Sequence, residues 1–163
     1  MARVVRIAAA QSGPITRSAS RQETLDRLIA LIRDASSQEA DLIVFTECAL
    51  TPFFSHWWIE DEDELDSYFE TSVPGTTTQQ LFDEAKRLGI AFHLGFAELV
   101  EDDTGKHRYN SSILVGKDGE TIGRFRKVHL PGHDDHRPDN PFQNLEKRYF
   151  EVGNLGFPTW NAF

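Results

Sequence analysis

An α/β fold is predicted for this chain by two short apolar runs, VVRIAAA at 4–10 and LIVF at 42–45, and by an amphipathic helical pattern between them. Runs of this kind, rich in β-branched and small residues and lacking polar alternation, belong to strands buried on both faces. Strand, helix and strand in succession is the unit from which α/β sheets are built. The 163 residues, 39% of them apolar and 26% charged, suffice for one domain that buries its own core.

The elements follow in order. Gly13 and Pro14 stop the first run. Ser20 with Glu23 three residues on reads as a capping box, and Leu25, Leu28, Ile29 and Ile32 then share one stripe, which predicts a helix over 20–36. Asp41 leads into the second strand, 42–45. Residues 51–75 are irregular and hold Pro52, the pairs Phe53-Phe54 and Trp57-Trp58, the acidic run 60–66 and Pro74-Gly75. Long loops of this sort often carry function. The acidic run itself reads as a solvated helix start, since it lacks the glycine and ligand alternation of a calcium loop.

After Pro74-Gly75 a threonine cap precedes Leu81, Phe82, Ala85 and Leu88, with Gly89 in place to end a helix over 77–88. Ile90, Phe92, Leu94 and Phe96 alternate with smaller residues within a strand at 90–99. Strand-like runs at 109–116 and 120–128 flank Lys117-Asp118-Gly119, a hairpin signal. Residues 129–145 are polar and Pro-rich and read as a surface loop, after which EKRYFEV at 146–152 reads as a short returning strand.

The net charge of −9 repels phosphate backbones and argues against a nucleic-acid partner. A single cysteine cannot form an intrachain disulfide, and the basic N-terminus has no apolar run long enough for a signal peptide or a membrane span. The expected location is therefore the cytoplasm, with no membrane partner. No Walker pattern and no GxGxxG occurs.

Glu47 follows LIVF after one threonine, which puts a carboxylate at the C-terminal end of a strand, where open α/β sheets bind ligands. Among Phe45, Leu50 and Phe53 its charged form is expected to be disfavoured by desolvation, moving it toward the range of a general base. The alternative is a strand-end glutamate that reaches solvent or pairs with a lysine. Lys127, in GRFRKVHLPG, shares a strand face with Phe125 and opposes Arg126. It can point into a pocket and stabilise an oxyanion, or lie exposed among other basic residues. Cys48 adjoins Glu47, but successive side chains of an extended chain leave on opposite faces, so it reads as a buried structural thiol. His129, His133 and His136, with Asp134 and Asp135, lack any helix-borne ligand spacing and a rigid frame, so no metal is expected there.

The segments QSGPITR, DLIVFTECALTPFF, GRFRKVHLPGH and FQNLEKRYFEVGNLGFP, in this order and spacing, resemble the N-terminal half of the nitrilase superfamily of carbon-nitrogen hydrolases, and within it the N-carbamoyl-D-amino acid amidohydrolases. The resemblance implies part of a four-layer α-β-β-α sandwich, with residues 1–163 as the N-terminal part of one hydrolase domain. It also implies a Glu/Lys/Cys triad that uses no metal or organic cofactor. By resemblance Glu47 is the general base, Lys127 stabilises the tetrahedral intermediate and Glu146 is the second glutamate that orients the site. His129 supports the substrate by the same resemblance. Asn144 stands where related carbamoylases usually carry histidine.

The family's nucleophilic cysteine is expected downstream of Phe163, which would leave this chain inactive alone and its sheet edges and apolar faces open. The implied reaction is acyl transfer on a small-molecule amide or ureide, in a full-length form expected to be a homo-oligomer. Two other readings stay open: a non-catalytic module that binds a carbamoyl or amide ligand or pairs with a separate cysteine-bearing chain, and a metal hydrolase using His129 and His133.

Overall fold

The computed structural model describes residues 3–162. Ser20 opens the first helix, α1 (Arg21–Ser37), with a complete capping box: its hydroxyl accepts from the Glu23 amide, and the Glu23 carboxylate accepts from the Ser20 amide. The predicted stripe of α1 is buried, with Leu25, Leu28 and Ile32 fully out of solvent. The helix α3 (Gln79–Leu88) ends at Gly89, whose φ of 64° is the left-handed conformation that closes a helix. Thr78 does not cap it. Its hydroxyl instead accepts from the Gly75 amide at 2.7 Å and closes the preceding turn.

Five strands form one sheet in sequential order: β1 (Ile7–Ala9), β2 (Leu42–Val44), β3 (Ala91–Asp102), β4 (Gly105–Val115) and β5 (Thr121–Arg126). β1, β2 and β3 run parallel, as their helical connections require, and β3, β4 and β5 form an antiparallel meander. The hairpin between β4 and β5 turns through Gly119, at a φ of 79°. A second hairpin joins β3 to β4 at Asp102↔Gly105, where the Asp102 carboxylate accepts from the Thr104 amide at 2.7 Å.

The register puts Phe92, Leu94 and Phe96 beside Ile43, Ile113 and Val115 on the face that meets α1 and α3. Each large apolar side chain buried there contributes roughly 1.5–3 kcal/mol relative to exposure. The other face carries small residues, Ala91, Gly95 and Ala97, all buried. Against it lies a second cluster around Phe54, formed by the turn Phe54–His56, α2 (Glu62–Asp66) and α4 (Glu146–Tyr149), with Phe69, Ala97, Leu145 and Phe150.

Two further expectations are corrected. Residues 4–10 are not buried on both faces: only Ile7–Ala9 form a strand, and Ile7 is 63% exposed. EKRYFEV does not return as a strand, because Glu146–Tyr149 make a single helical turn. Three-residue spacing buries both Glu146 and Tyr149, and the Tyr149 hydroxyl donates to the Trp57 carbonyl at 2.6 Å and accepts from the Ile59 amide at 2.7 Å. Tertiary partners ninety residues away thus select helix for a segment too short to declare itself. Among the described residues no helix is long and apolar enough to cross a membrane.

Candidate active site

The turn after β2, strand β4, the residue after β5 and helix α4 bring side chains together on the sheet face opposite α1 and α3. After β2 the chain continues along β3, with the Phe45 amide donating to the His93 carbonyl and the Ala49 amide to the Gly95 carbonyl, both at 2.9 Å. Glu47 lies in the intervening turn, and Cys48 takes a left-handed φ of 48° within it. A Cβ on Gly95 would stand 2.8 Å from the Thr46 carbonyl oxygen and 2.9 Å from the Glu47 Cα, so only glycine lets this turn lie on the strand. On β4, Asn110 pairs with Ala97 and is buried. Lys127 extends β5 by one bond, its amide donating to the Asn110 carbonyl at 2.8 Å. Its side chain shares the face of Phe125, while Arg126 turns to the opposite face and donates to Glu98 at 2.8 Å. Glu146 begins α4, held by the Leu145 amide on the Ser55 carbonyl at 2.8 Å.

These residues converge. The Lys127 ammonium donates to Glu47 Oε1 at 2.6 Å and to Glu146 Oε2 at 2.7 Å. Asn110 Nδ2 donates to the same Glu47 oxygen at 2.7 Å and lies 3.4 Å from the same Glu146 oxygen. Glu146 has a side chain only 2% exposed, whereas that of Glu47 is 43% exposed. Burial works against the Lys127 charge, but the bonds to Glu146 and Glu47 outweigh it and raise its pKa above the ordinary lysine value. The cation is therefore firmly held, and two of its three N–H donors are in use. An ammonium between two carboxylates leaves the cluster one charge negative, which suits a site that accepts a proton.

Cys48 lies beside this cluster without joining it. It is 3% exposed and packs with Phe54, Ala97 and Leu145. Burial, and then the Glu47 and Glu146 charges, push its thiol far above the usual range. A thiol so placed is a poor nucleophile.

The apolar packing expected around Glu47 does not form. Phe45 and Leu50 turn into the core on the helical face, and Phe53 packs its ring edge-on against His56, which leaves the carboxylate exposed. His129 is exposed, with its ring 6.1 Å from that of Phe157 and no bond to the cluster. Asn144 acts on backbone: its Oδ1 accepts from the Glu146 amide at 3.3 Å, and its carbonyl accepts from the His133 amide at 2.9 Å. His133 turns to the Asp135 carbonyl, and His136 stacks on Trp58 with ring centroids 4.4 Å apart, so the loop histidines face different neighbours. Asn110 is the residue that sequence reasoning missed. Its available signal was an asparagine, a poor strand former, inside the strand run YNSSILVG.

A carbon-nitrogen hydrolase family model matches residues 6–161 of this chain. Omega-amidase NIT2 of Xenopus tropicalis is 29% identical over an alignment of 144 residues that covers 82% of this chain and 48% of that protein. The chain thus spans about half the length of the curated relatives it matches. Its fold is similar to that of a carbon-nitrogen hydrolase from Helicobacter pylori G27, with a TM-score of 0.74 and 21% identity, covering 97% of this chain and 48% of the other. It is also similar to an amidase from Nesterenkonia sp. AN1, in a structure showing the result of Michael addition of acrylamide at that enzyme's active site cysteine. That likeness has a TM-score of 0.61 at 19% identity and covers 98% of this chain and 54% of the other.

Proposed function

This chain belongs to the carbon-nitrogen hydrolase family, and we propose that it supplies the base, the cation and the second carboxylate of a thiol-dependent amidase site. Glu47 is the general base, Lys127 the cation for the oxyanion, and Glu146 the carboxylate that fixes Lys127. The observation that carries this reading is the Lys127 ammonium bridging Glu47 at 2.6 Å and the buried Glu146 at 2.7 Å.

In the reaction Glu47 takes the proton of a thiol, and the thiolate attacks the carbonyl carbon of a terminal amide. Negative charge develops on the carbonyl oxygen, for which Lys127 has its third N–H free. Glu47 returns the proton to the leaving nitrogen, ammonia departs and a thioester remains. The base then takes a proton from water, the hydroxide attacks the thioester, and carboxylic acid and thiol are released. The thiol is not Cys48, whose burial and raised pKa oppose that role. It comes from outside these 163 residues.

The substrate class is a small, non-peptide compound with a terminal amide or ureido group. The ω-amide of a short carboxylic acid comes first, because the curated relatives at 29% and 27% identity are omega-amidases. Hydrolysis of an N-carbamoyl-D-amino acid to ammonia, carbon dioxide and the D-amino acid is the second reading, and it rests on the GRFRKVHLPGH segment. The test is ammonia release by the full-length protein carrying this segment, from a dicarboxylic monoamide and from an N-carbamoyl-D-amino acid. Glu47→Gln is expected to lower turnover by roughly 10²-fold or more. Turnover unaffected by that change, or lost with Cys48→Ala, overturns the assignment.

A further inference from the structure

Lys127 Nζ and Asn110 Nδ2 converge on the same two acceptors, Glu47 Oε1 and Glu146 Oε2. The four atoms close a diamond of two donors and two acceptors. Its consequence is an asymmetry within Glu47: Oε1 receives two donors, while Oε2 accepts no hydrogen bond among the described residues.

We infer that Asn110 is a positioning residue that, with Lys127, saturates Oε1 of Glu47 and so makes Oε2 the oxygen that takes the thiol proton. The inference rests on the reading of Glu47 as the base. Lys127 alone cannot impose this geometry, because an ammonium on a flexible stem allows the glutamate to rotate about it. Asn110 supplies a donor from a rigid place: it is buried on β4, opposite Ala97, and its carbonyl is bonded to the Lys127 amide. The backbone that positions Lys127 and the side chain that holds Glu47 therefore belong to one residue.

The choice of an amide also has an electrostatic reason. A second cation here would hold Glu47 ionised more strongly and make it a weaker base, and a carboxylate would repel it. A neutral donor orients the carboxylate with a smaller loss of basicity. It also leaves the formal charge of the cluster at −1, one proton short of neutral.

The test compares pH profiles of kcat/KM, with kcat and KM separately, for the full-length protein and its Asn110→Leu, Asn110→Asp and Glu47→Gln variants. Asn110→Leu removes a donor to the ionised form of Glu47, so the acid limb is expected to move up by about one pH unit. kcat is expected to fall roughly tenfold or more with KM nearly unchanged, as misplacement of a reacting group requires. Asn110→Asp has the same shape and moves the limb further up, because it adds a third carboxylate. Activity that survives Glu47→Gln overturns the base reading itself. Loss with Glu47→Gln, combined with an unmoved acid limb and unchanged kcat in the folded Asn110 variants, overturns only the role of Asn110. A variant that fails to fold, judged by circular dichroism, leaves the decision to the unmodified chain. There the Asn110 side-chain amide, followed by NMR, is expected to shift as Glu47 titrates, and an amide signal indifferent to Glu47 overturns the inference.

Discussion

Lys127 and Glu146 meet at 2.7 Å between an ammonium 27% exposed and a carboxylate 2% exposed, so the lysine is the charged partner of a buried glutamate. A buried carboxylate without a partner costs several kcal/mol, and Lys127 offsets that cost while remaining reachable from solvent. Residues 128–145 separate the two, and the Leu145 amide is anchored to the Ser55 carbonyl.

Removing the cation should therefore harm stability as well as activity. Lys127→Met leaves Glu47 and Glu146 facing each other and is expected to cost about 3 kcal/mol. Urea unfolding of this chain measures it. Pairing Lys127→Met with Glu146→Gln should recover part of the loss, because the uncompensated buried charge is then gone.

Gly95→Ala probes the seating of the Glu47 turn. The new methyl would press on the Thr46 carbonyl at 2.8 Å and the Glu47 Cα at 2.9 Å, both of them backbone. An overpacking cost of about 2 kcal/mol is expected, together with a displaced Glu47. A lowered urea midpoint and loss of the NMR shift linking Asn110 to Glu47 are the readouts.

Cys48 should be inert in the native chain. Its burial and raised pKa predict slow labelling by iodoacetamide at neutral pH, and rapid labelling once urea opens the fold. Thiol labelling followed by mass spectrometry distinguishes the two rates. Equal rates in the native and unfolded states would contradict the burial.

Glu84 ties α3 to α1 and gives the fold an acid-sensitive contact. Its carboxylate accepts from Arg87 at 2.7 Å and from Arg33 at 2.5 Å, and these bonds hold it at about 2, below the ordinary 4.5. A depressed folded-state value means that the stabilisation is complete above 4.5 and is lost as pH falls from there through about 2, because the unfolded chain takes the proton first. The difference in urea midpoint between the native sequence and Glu84→Gln should therefore be largest near neutral pH and vanish near the folded-state value.

Much of the architecture was legible in residue order. The capping box at Ser20 and Glu23, the stripe of α1, the closing Gly89 and the alternation of β3 are local patterns, set by residues close together in the chain. The placement of Lys127 on the face of Phe125 followed from strand alternation in the same way. The turn at Glu146–Tyr149 was not legible, since seven residues of mixed polarity suit either state until Trp57 and Ile59 engage Tyr149.

By itself the sequence determined the α/β class, the order of the main helices and strands as far as β5, and the residue types Glu47, Lys127 and Glu146 in segments that resemble one enzyme family. Only the tertiary structure decided how these three meet: that Lys127 bridges the two carboxylates, that Glu47 is exposed while Glu146 is buried, and that Asn110 bonds to both. The physical reason is distance along the chain. Asn110 and Glu47 are 63 residues apart and touch only because β2, β3 and β4 lie side by side. Hydrogen bonds of that span depend on sheet register, which no local pattern specifies.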